Sequence, residues 1–529
     1  MKEQFLPVGI QNFEQMIEGN FLYVDKTRYI HDMVRPPQGF YFLSRPRRFG
    51  KSLTVSTFDY LFRGRKDLFE NLHIADTSWQ WKPYPIVKFD FSTISFSTSE
   101  ELEKSLLFHL HRIGTEHGID NSVHSLTECF TVTIIELYKK YQEKVVVLID
   151  EYDKSIIDHL GRGKDHLAVA TENRDILKRL FGIMKGGDVS EALRFVFITG
   201  ISKFARVSIF SDLNNLNDIS MHPQFGDVLG YTHEELITFF TPCIDRLSRE
   251  LNTERKELIE TIRKWYDGYK FTARSESVYN PFSIVRLFEA NEFENYWFET
   301  GTPTFLLNLI LEKQYPVTNI ENLKLPKELF SVYELERLQL EPLLFQTGYI
   351  TIEKFENELY HMRYPNKEVR ISFLSYLLNN FSRPENTSMA GVYKLLHIYL
   401  KEMKMDDFIE GACSILASIP YPEIAGRDEA YYHSVFYLML SASGAMVHPE
   451  VLSSKGRMDI VIEFDDKVFI IELKCDHSSD MAIRQIIKKK YYEKYMHTNR
   501  EIYLMGINFD REKRSIDDWQ CKPLAEVVS

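Results

Sequence analysis

The stretch FYFLSRPRRFGKSLTVSTFDYLF, Phe40 to Phe62, decides how the chain is read. An apolar run, Tyr41 to Leu43, enters a basic turn, and an amphipathic run leaves it after Lys51. A strand, a loop and a helix with GKS at the junction make a phosphate-binding loop. Lys51 can reach the β- and γ-phosphates of a nucleotide, and the Ser52 hydroxyl can ligate Mg²⁺. Backbone N–H groups of Arg47, Arg48, Phe49, Gly50 and Lys51 line an anion cradle, and Leu53 follows in the helix. The usual pattern, GxxxxGK[ST], has glycine where Arg45 stands, and Pro46 has no N–H to donate. The turn relies on Gly50 alone for close backbone approach, while Arg47 and Arg48 either contact phosphate or face water.

A second segment, KVVVLIDEYD from Lys144 to Asp153, is a continuous apolar strand ending in acids. Such a strand is buried on both faces, as in a parallel sheet. At its C-terminal end Asp150 is placed to hold Mg²⁺, and Glu151 to activate water attacking a γ-phosphate. Together the two segments predict an NTPase that takes ATP or GTP.

Working outward, YFLSR (41–45), IVKFDFS (86–92), VVVLID (145–150) and RFVFITG (194–200) read as short buried strands. Between them, Glu100 to His117 and Ser125 to Glu143 read as crossover helices. The alternation predicts an α/β fold whose parallel sheet works at the C-terminal strand ends. After the fourth strand, Thr199, Ser202 and Lys203 either sense the γ-phosphate or form a solvated strand end.

We place this core at 1–230. From 231 to 325 the chain reads as a helical lid, opened by Thr232 with Glu234 and Glu235 behind it, a helix-start signature. From 326 to 425 a helix, a hairpin turning at Glu356 and Asn357, and further helices suggest a winged-helix-like connector.

From 426 to 529 a second chemistry appears. In GRMDIVIEFDDKVFIIELKCD, Gly456 to Asp476, two strands meet at a turn around Asp465 and Asp466. Alternation puts Met458, Ile460, Ile462 and Phe464 on one face, matched by Phe469, Ile471 and Leu473. An even loop pairs Val461 with Ile470 and brings Asp459 to Glu472, with Lys474 on the same face. Facing carboxylates repel unless a hard divalent cation, Mg²⁺ or Mn²⁺, neutralises them. Metal-activated water attacking a phosphodiester is the natural chemistry, with Lys474 stabilising charge on phosphate. A salt bridge on an exposed sheet face is the alternative. Glu429 and His433 share a helix face upstream, and Glu429 is a candidate third metal acid. Downstream, RQIIKKKYYEKYMHTNR (484–500) carries six Lys/Arg and one acid. Lys489 and its neighbours suit a phosphate backbone, and Tyr491, Tyr492 and Tyr495 suit stacking bases.

The net charge of −12 confines nucleic-acid binding to local basic patches. Five cysteines without CxxC spacing argue against zinc and fit a reducing cytosol. The N-terminus lacks an apolar signal region, and no run of about 18 apolar residues predicts a membrane span.

The blocks LPVGIQNFEQMIEGNFLYVDKTRYI, SRPRRFGKS, VVVLIDEYDKSI, ITGISKFARVSIFSDLNNLNDI, WYDGYKF and VYNPFSIV resemble the bacterial AAA-ATPase-like family. The segments EAYYHSVFYLML, GRMDIVI, IIELK and QIIKKKYYEKY resemble the PD-(D/E)xK nuclease domain that typically follows. Arg45 fits this family's form of the loop. The resemblance implies an AAA-like ATPase core and a C-terminal α/β PD-(D/E)xK nuclease domain. It implies Lys51 and Ser52 for nucleotide and Mg²⁺, Asp150 for metal and Glu151 for hydrolysis. In the nuclease part it implies Glu429, Asp459, Glu472 and Lys474, with Gln485 as an accessory residue, and it puts Asp25 and Lys26 near the base. The expected function is an ATPase joined to a nuclease acting on nucleic acid, DNA ahead of RNA. ATP would gate or power access, and defence against foreign nucleic acid is a contextual guess. The rival is a slow ATP-dependent regulatory switch with a nucleic-acid-binding or effector C-terminal domain. Homo-oligomerisation stays open, with Arg206 as the candidate arginine finger.

Overall fold

The computed structural model describes residues 4–203, 213, 215–299, 304–313, 315, 320, 323–331, 339–382, 389–417, 429–443, 445–453 and 456–527. Two compact units emerge: Met1–Lys313 with Lys324–Glu368, and Gln314–Leu323 with Val369–Ser529.

In the first unit, β1 (Gly39–Ser44), β2 (Ile86–Asp90), β3 (Val145–Asp150), β4 (Leu193–Gly200) and β5 (Asn217–Asp218) form a parallel sheet. Its order is β2-β3-β4-β1-β5. The four strands expected from apolar runs are β1 to β4. Every position of β1, β3 and β4 is buried, so both faces are covered. Edge strand β2 alternates between buried and half-buried. Covering helices include α1 (Lys51–Phe62), α2 (Ser99–His117), α3 (Leu126–Tyr141) and α4 (Lys164–Gly182). Parallel register aligns the C-terminal ends: Ser44 lies opposite Gly200, and Asp90 opposite Asp150.

Beyond the sheet, α5 (His233–Glu250), α6 (Arg255–Tyr266) and α7 (Pro281–Ala290) share a core that includes Phe240, Ile262, Tyr266 and Leu287. The capping box expected at α5 is present: Thr232 accepts from the Glu235 N–H and Glu235 accepts from the Thr232 N–H. β6 (Lys324–Pro326), β7 (Thr351–Glu356) and β8 (Leu359–Arg363) form a small antiparallel sheet. Its tight turn is Asn357–Glu358, one residue later than expected, because both residues take positive φ, 51° and 62°.

Arg45 explains how the loop between β1 and α1 stands without a glycine at this position. The residue is 1% exposed, and its guanidinium donates to the carbonyls of Ser44 (2.9 Å), Ser220 (2.8 Å) and Phe225 (2.8 Å). The guanidinium also lies 4.1 Å from the Phe271 ring centroid. Burial lowers its pKa to about 9. Arg45 thus pins the loop entrance to the segment after β5 instead of reaching into the phosphate cradle.

In the second unit, α8 (Lys367–Ser382), which begins in the first, is followed, among the described residues, by two further helices before α9 (Glu429–Ala442). A mixed sheet follows, β9 (Val447–Ser453), β10 (Gly456–Glu463), β11 (Lys467–Cys475), β12 (Glu501–Asp510) and β13 (Ser515–Pro523), in consecutive order. β11 and β12 are parallel, joined by a crossover containing α10 (Ser479–Lys489). The hairpin register matches expectation: Val461 faces Ile470, and Phe464 bonds Lys467 across a two-residue loop.

Both faces of β11 are buried. Val468 and Ile470 join Ile483, Ile486, Tyr491, Tyr492 and Tyr495 in one cluster. On the other face, Tyr432 and Phe436 of α9 pack against Phe509. The tyrosines expected to stack on bases are therefore core residues, between 2% and 6% exposed. The chain leaves α10 through Lys490 in a left-handed conformation and tucks a short 3₁₀ turn, Tyr491–Tyr495, under the sheet.

Two stability predictions follow from these contacts. Arg45→Gly, which restores the usual loop pattern, strands several buried carbonyls and should destabilise the first unit by at least about 3 kcal/mol. An unchanged midpoint in chemical denaturation of the full chain would refute that role. At Gly506, a Cβ would lie 2.3 Å from the Ser479 carbonyl and 3.1 Å from the Ala482 Cβ. Gly506→Val should push α10 off the sheet and cost about 1–3 kcal/mol in the same assay.

Candidate functional site

The loop between β1 and α1 opens onto a cavity of about 470 Å³. Gly50 adopts φ 90° and ψ 18° as the N-cap of α1, and Arg48 has φ 65°. A Cβ at Gly50 would meet nothing within 4 Å, so glycine serves the backbone conformation and the space beside it is open. Arg47, Arg48, Gly50, Lys51, Ser52 and Leu53 line this cavity. Phe49 does not; its ring packs edge-on against Tyr269 and Phe271 and anchors the loop.

Lys51 is 7% exposed and donates to the carbonyls of Arg45 (3.0 Å) and Pro46 (2.9 Å). Burial lowers its pKa, while Asp150, Glu151 and Asp153 oppose that shift. Asp150 is buried at the end of β3, with Ser52 near it. Burial, the first cause, pushes its pKa up to about 6, against the pull of Ser52 and Lys51. Its Oδ1 is buried without a hydrogen-bond partner. Glu151, just past the strand, lines the cavity at φ 52°.

Two acids that sequence reasoning passed over share this edge. Asp90 ends β2 beside Asp150, and its carboxylate accepts from the N–H (2.9 Å) and hydroxyl (2.6 Å) of Ser92. Its signal was available, an apolar strand ending in an acid. Asp153 is 1% exposed and accepts from Ile201 N (3.0 Å), Ser202 N (2.6 Å) and Ser202 Oγ (2.7 Å), tying the end of β3 to the end of β4.

The residues expected after β4 do not reach the cavity. Thr199 is fully buried and donates to the Leu43 carbonyl at 2.7 Å, because its side chain points between strands. Ser202 is held by Asp153, and Lys203 pairs with Asp218 at 3.1 Å. Arg206 lies outside the described residues. The apolar part of the cavity lining includes Pro7, Ile10, Met16, Tyr231, Phe282 and Val285. A smaller cavity of about 80 Å³ shares Gly50, Leu53 and Tyr231 with it and is bordered by Lys26. Lys26 itself is occupied, donating to Glu235 (2.7 Å) and the Asp227 carbonyl (2.9 Å). Asp25 accepts from Thr27 and from the His73 N–H.

In the second unit, Asp459, Glu472, Lys474 and Gln485 come together. The Asp459 Oδ2 accepts from the Leu473 N–H at 2.8 Å, and the His433 Nε2 lies 4.0 Å away. Glu472 is 1% exposed. Its Oε1 accepts from Lys474 (3.0 Å) and from Gln485, while Oε2 is buried with no hydrogen-bond partner. Burial first, then repulsion from Asp459, raise its pKa. Gln485 reaches it because α10 lies directly on β12 at Gly506, the residue opposite Glu472. Glu429 opens α9, but its side chain lies outside the described residues. Among the described residues, no group of three or more His, Cys, Asp or Glu forms a metal-ligand set. Lys489 is exposed near the end of α10, whereas the Tyr491 ring is buried. No helix among the described residues is long and apolar enough to cross a membrane.

Residues 7–210 match the family described as predicted AAA-ATPase, and residues 427–519 match the PD-(D/E)XK nuclease superfamily. An uncharacterized protein in the vnfD 5′ region of Azotobacter chroococcum mcd 1 is 36% identical over 529 residues, covering 98% of each chain. The order of the two matches along the chain parallels the order of the two strand-end sites, and the chain belongs to the AAA-ATPase-like family and carries a PD-(D/E)XK nuclease superfamily domain after the ATPase-like part.

Proposed function

We propose that the first unit binds and hydrolyses ATP with Mg²⁺, and that the second cleaves phosphodiester bonds of nucleic acid with Mg²⁺ or Mn²⁺. One observation carries both halves. In each unit a carboxylate at or near a strand end, Asp150 or Glu472, has one buried oxygen without a partner and a lysine close by. A buried acceptor left unsatisfied is costly, and a hard cation is the partner that oxygen ligands suit. Both sites therefore fit a divalent ion.

At the first site Ser52 and Asp150 would hold the cation. The phosphates lie against the N–H groups at the start of α1, where the backbone dipole favours negative charge. Lys51, already turned toward the loop, supplies the positive charge. Glu151 stands in the cavity wall as the base that takes a proton from attacking water. The apolar lining residues, Ile10, Tyr231, Phe282 and Val285 among them, receive the base.

At the second site Asp459 and Glu472 would hold the cation, which supplies Lewis acidity and a more acidic water. Lys474 stabilises negative charge gathering on the phosphate, and Gln485 fixes the orientation of Glu472. Lys489 and the neighbouring exposed Lys488 offer the phosphate backbone a positive edge.

Glu151→Gln should retain binding of a fluorescent ATP analogue yet lose phosphate release by about 100-fold or more, whereas Lys51→Ala should lose binding itself. Equal turnover in Glu151→Gln would remove it as the base. For the second site, MnCl₂ should raise the unfolding midpoint of the full chain and support cleavage of DNA or RNA. Glu472 ionised against Asp459 costs stability in the metal-free protein, a cost that appears as pH rises through its raised pKa. Glu472→Gln should therefore raise the metal-free midpoint at pH 8, abolish the manganese increment and abolish cleavage. Retention of both the increment and cleavage would sink the nuclease half.

A further inference from the structure

Glu368 is the last residue of the first unit and is fully buried. Its carboxylate accepts from the Trp297 backbone N–H at 2.7 Å and from the Ser283 hydroxyl at 2.9 Å. Each of these donors leads to a different part of the nucleotide cavity's lining.

Trp297 leads to the phosphate loop. Its indole Nε1 donates to the Arg47 carbonyl at 3.0 Å. Its ring is held by Tyr269 and Tyr349, with centroids 6.2 Å and 5.4 Å away. A peptide group is planar, with C=O and N–H pointing in opposite directions. Fixing the Arg47 carbonyl on Trp297 therefore turns the Arg48 N–H away from Trp297. Arg47 and Arg48 line the cavity and Trp297 does not. Ser283 leads to another part of the lining. It lies in the first turn of α7, where its N–H caps onto the Asn280 side chain at 3.1 Å. Phe282 and Val285, on either side of it, belong to the apolar lining of the cavity. Phe282 also carries the Arg48 guanidinium 4.8 Å from its ring centroid.

We infer that Glu368 is a positioning residue for nucleotide binding: through Trp297 it presets the Arg47–Arg48 peptide of the phosphate cradle, and through Ser283 it sets the apolar lining at Phe282 and Val285. This rests on the nucleotide reading of the cavity. A cradle donor held in place before the ligand arrives spares the cost of ordering it on binding. The carboxylate suits this role because its two oxygens accept several bonds and donate none.

The test uses the full chain and a non-hydrolysable fluorescent ATP analogue with Mg²⁺. Glu368→Gln and Trp297→Phe should each weaken binding by about tenfold. The double variant should be little worse than the weaker single, because both act along one path. Trp297→Phe keeps an aromatic ring and loses the N–H donor, so it carries the test if Glu368→Gln folds poorly. Wild type should change its tryptophan emission on binding the analogue. That change should shrink in Trp297→Phe, and also in Glu368→Gln, which keeps the indole. A residue that merely stabilises the fold would lower the melting midpoint and leave affinity and emission response as in wild type. Wild-type affinity in both variants, with binding lost in Lys51→Ala, overturns the inference and leaves the nucleotide reading standing. No binding by wild type removes both.

Discussion

A strand buried on both faces leaves its acidic side chains little room except at the ends, and both sites follow from that constraint. β3 is buried from Val145 to Asp150, and β11 is buried at nearly every position. A carboxylate in such a place loses hydration without gaining an apolar contact, so it persists only where something opposes its charge. Lys51 opposes Asp150, and Lys474 opposes Glu472. In neither case does the lysine settle every oxygen, and in both the acid's pKa is driven up. Both sites thus hold an acid that the protein's own donors leave incompletely satisfied.

The same constraint bears on the phosphate loop. A loop that must expose its N–H groups cannot bury them in its own hydrogen bonds, so its shape has to be imposed from outside. Arg45 supplies one hold through three carbonyls, Phe49 a second through Tyr269 and Phe271, and Trp297 a third through the Arg47 carbonyl. A loop with an additional glycine obtains its tight turn from conformational freedom. Here the turn is obtained from side chains that are themselves in the core, which ties the cradle to the packing of the helical region around Tyr269 and Trp297.

How much of this was legible in the sequence depends on range. Continuous apolar runs located β1, β3 and β4, because burial on both faces writes itself into neighbouring residues, while edge strand β2 shows as alternation. Period-two alternation fixed the Asp459 and Glu472 hairpin, because a one-residue slip would have turned every apolar side chain outward. Long-range partners were not legible. Nothing near Arg45 announces the Ser220 and Phe225 carbonyls some 175 and 180 residues away. Nothing near Trp297 announces Arg47, 250 residues before it. Thr199 was misplaced for a related reason: on a strand end a hydroxyl can face solvent or the next strand, and the neighbour that decides is Leu43.

The tyrosines after α10 show where composition misleads. Tyr491, Tyr492 and Tyr495 interleaved with lysines look like a stacking surface when read along the chain. A tyrosine, however, has an apolar body and a polar tip, so it can complete a core from its edge while its lysine neighbours remain in water. That is the arrangement here, with Lys488, Lys489 and Lys490 exposed and the three rings in the cluster with Val468 and Ile470. The basic edge and the aromatic core are thus two products of one short segment.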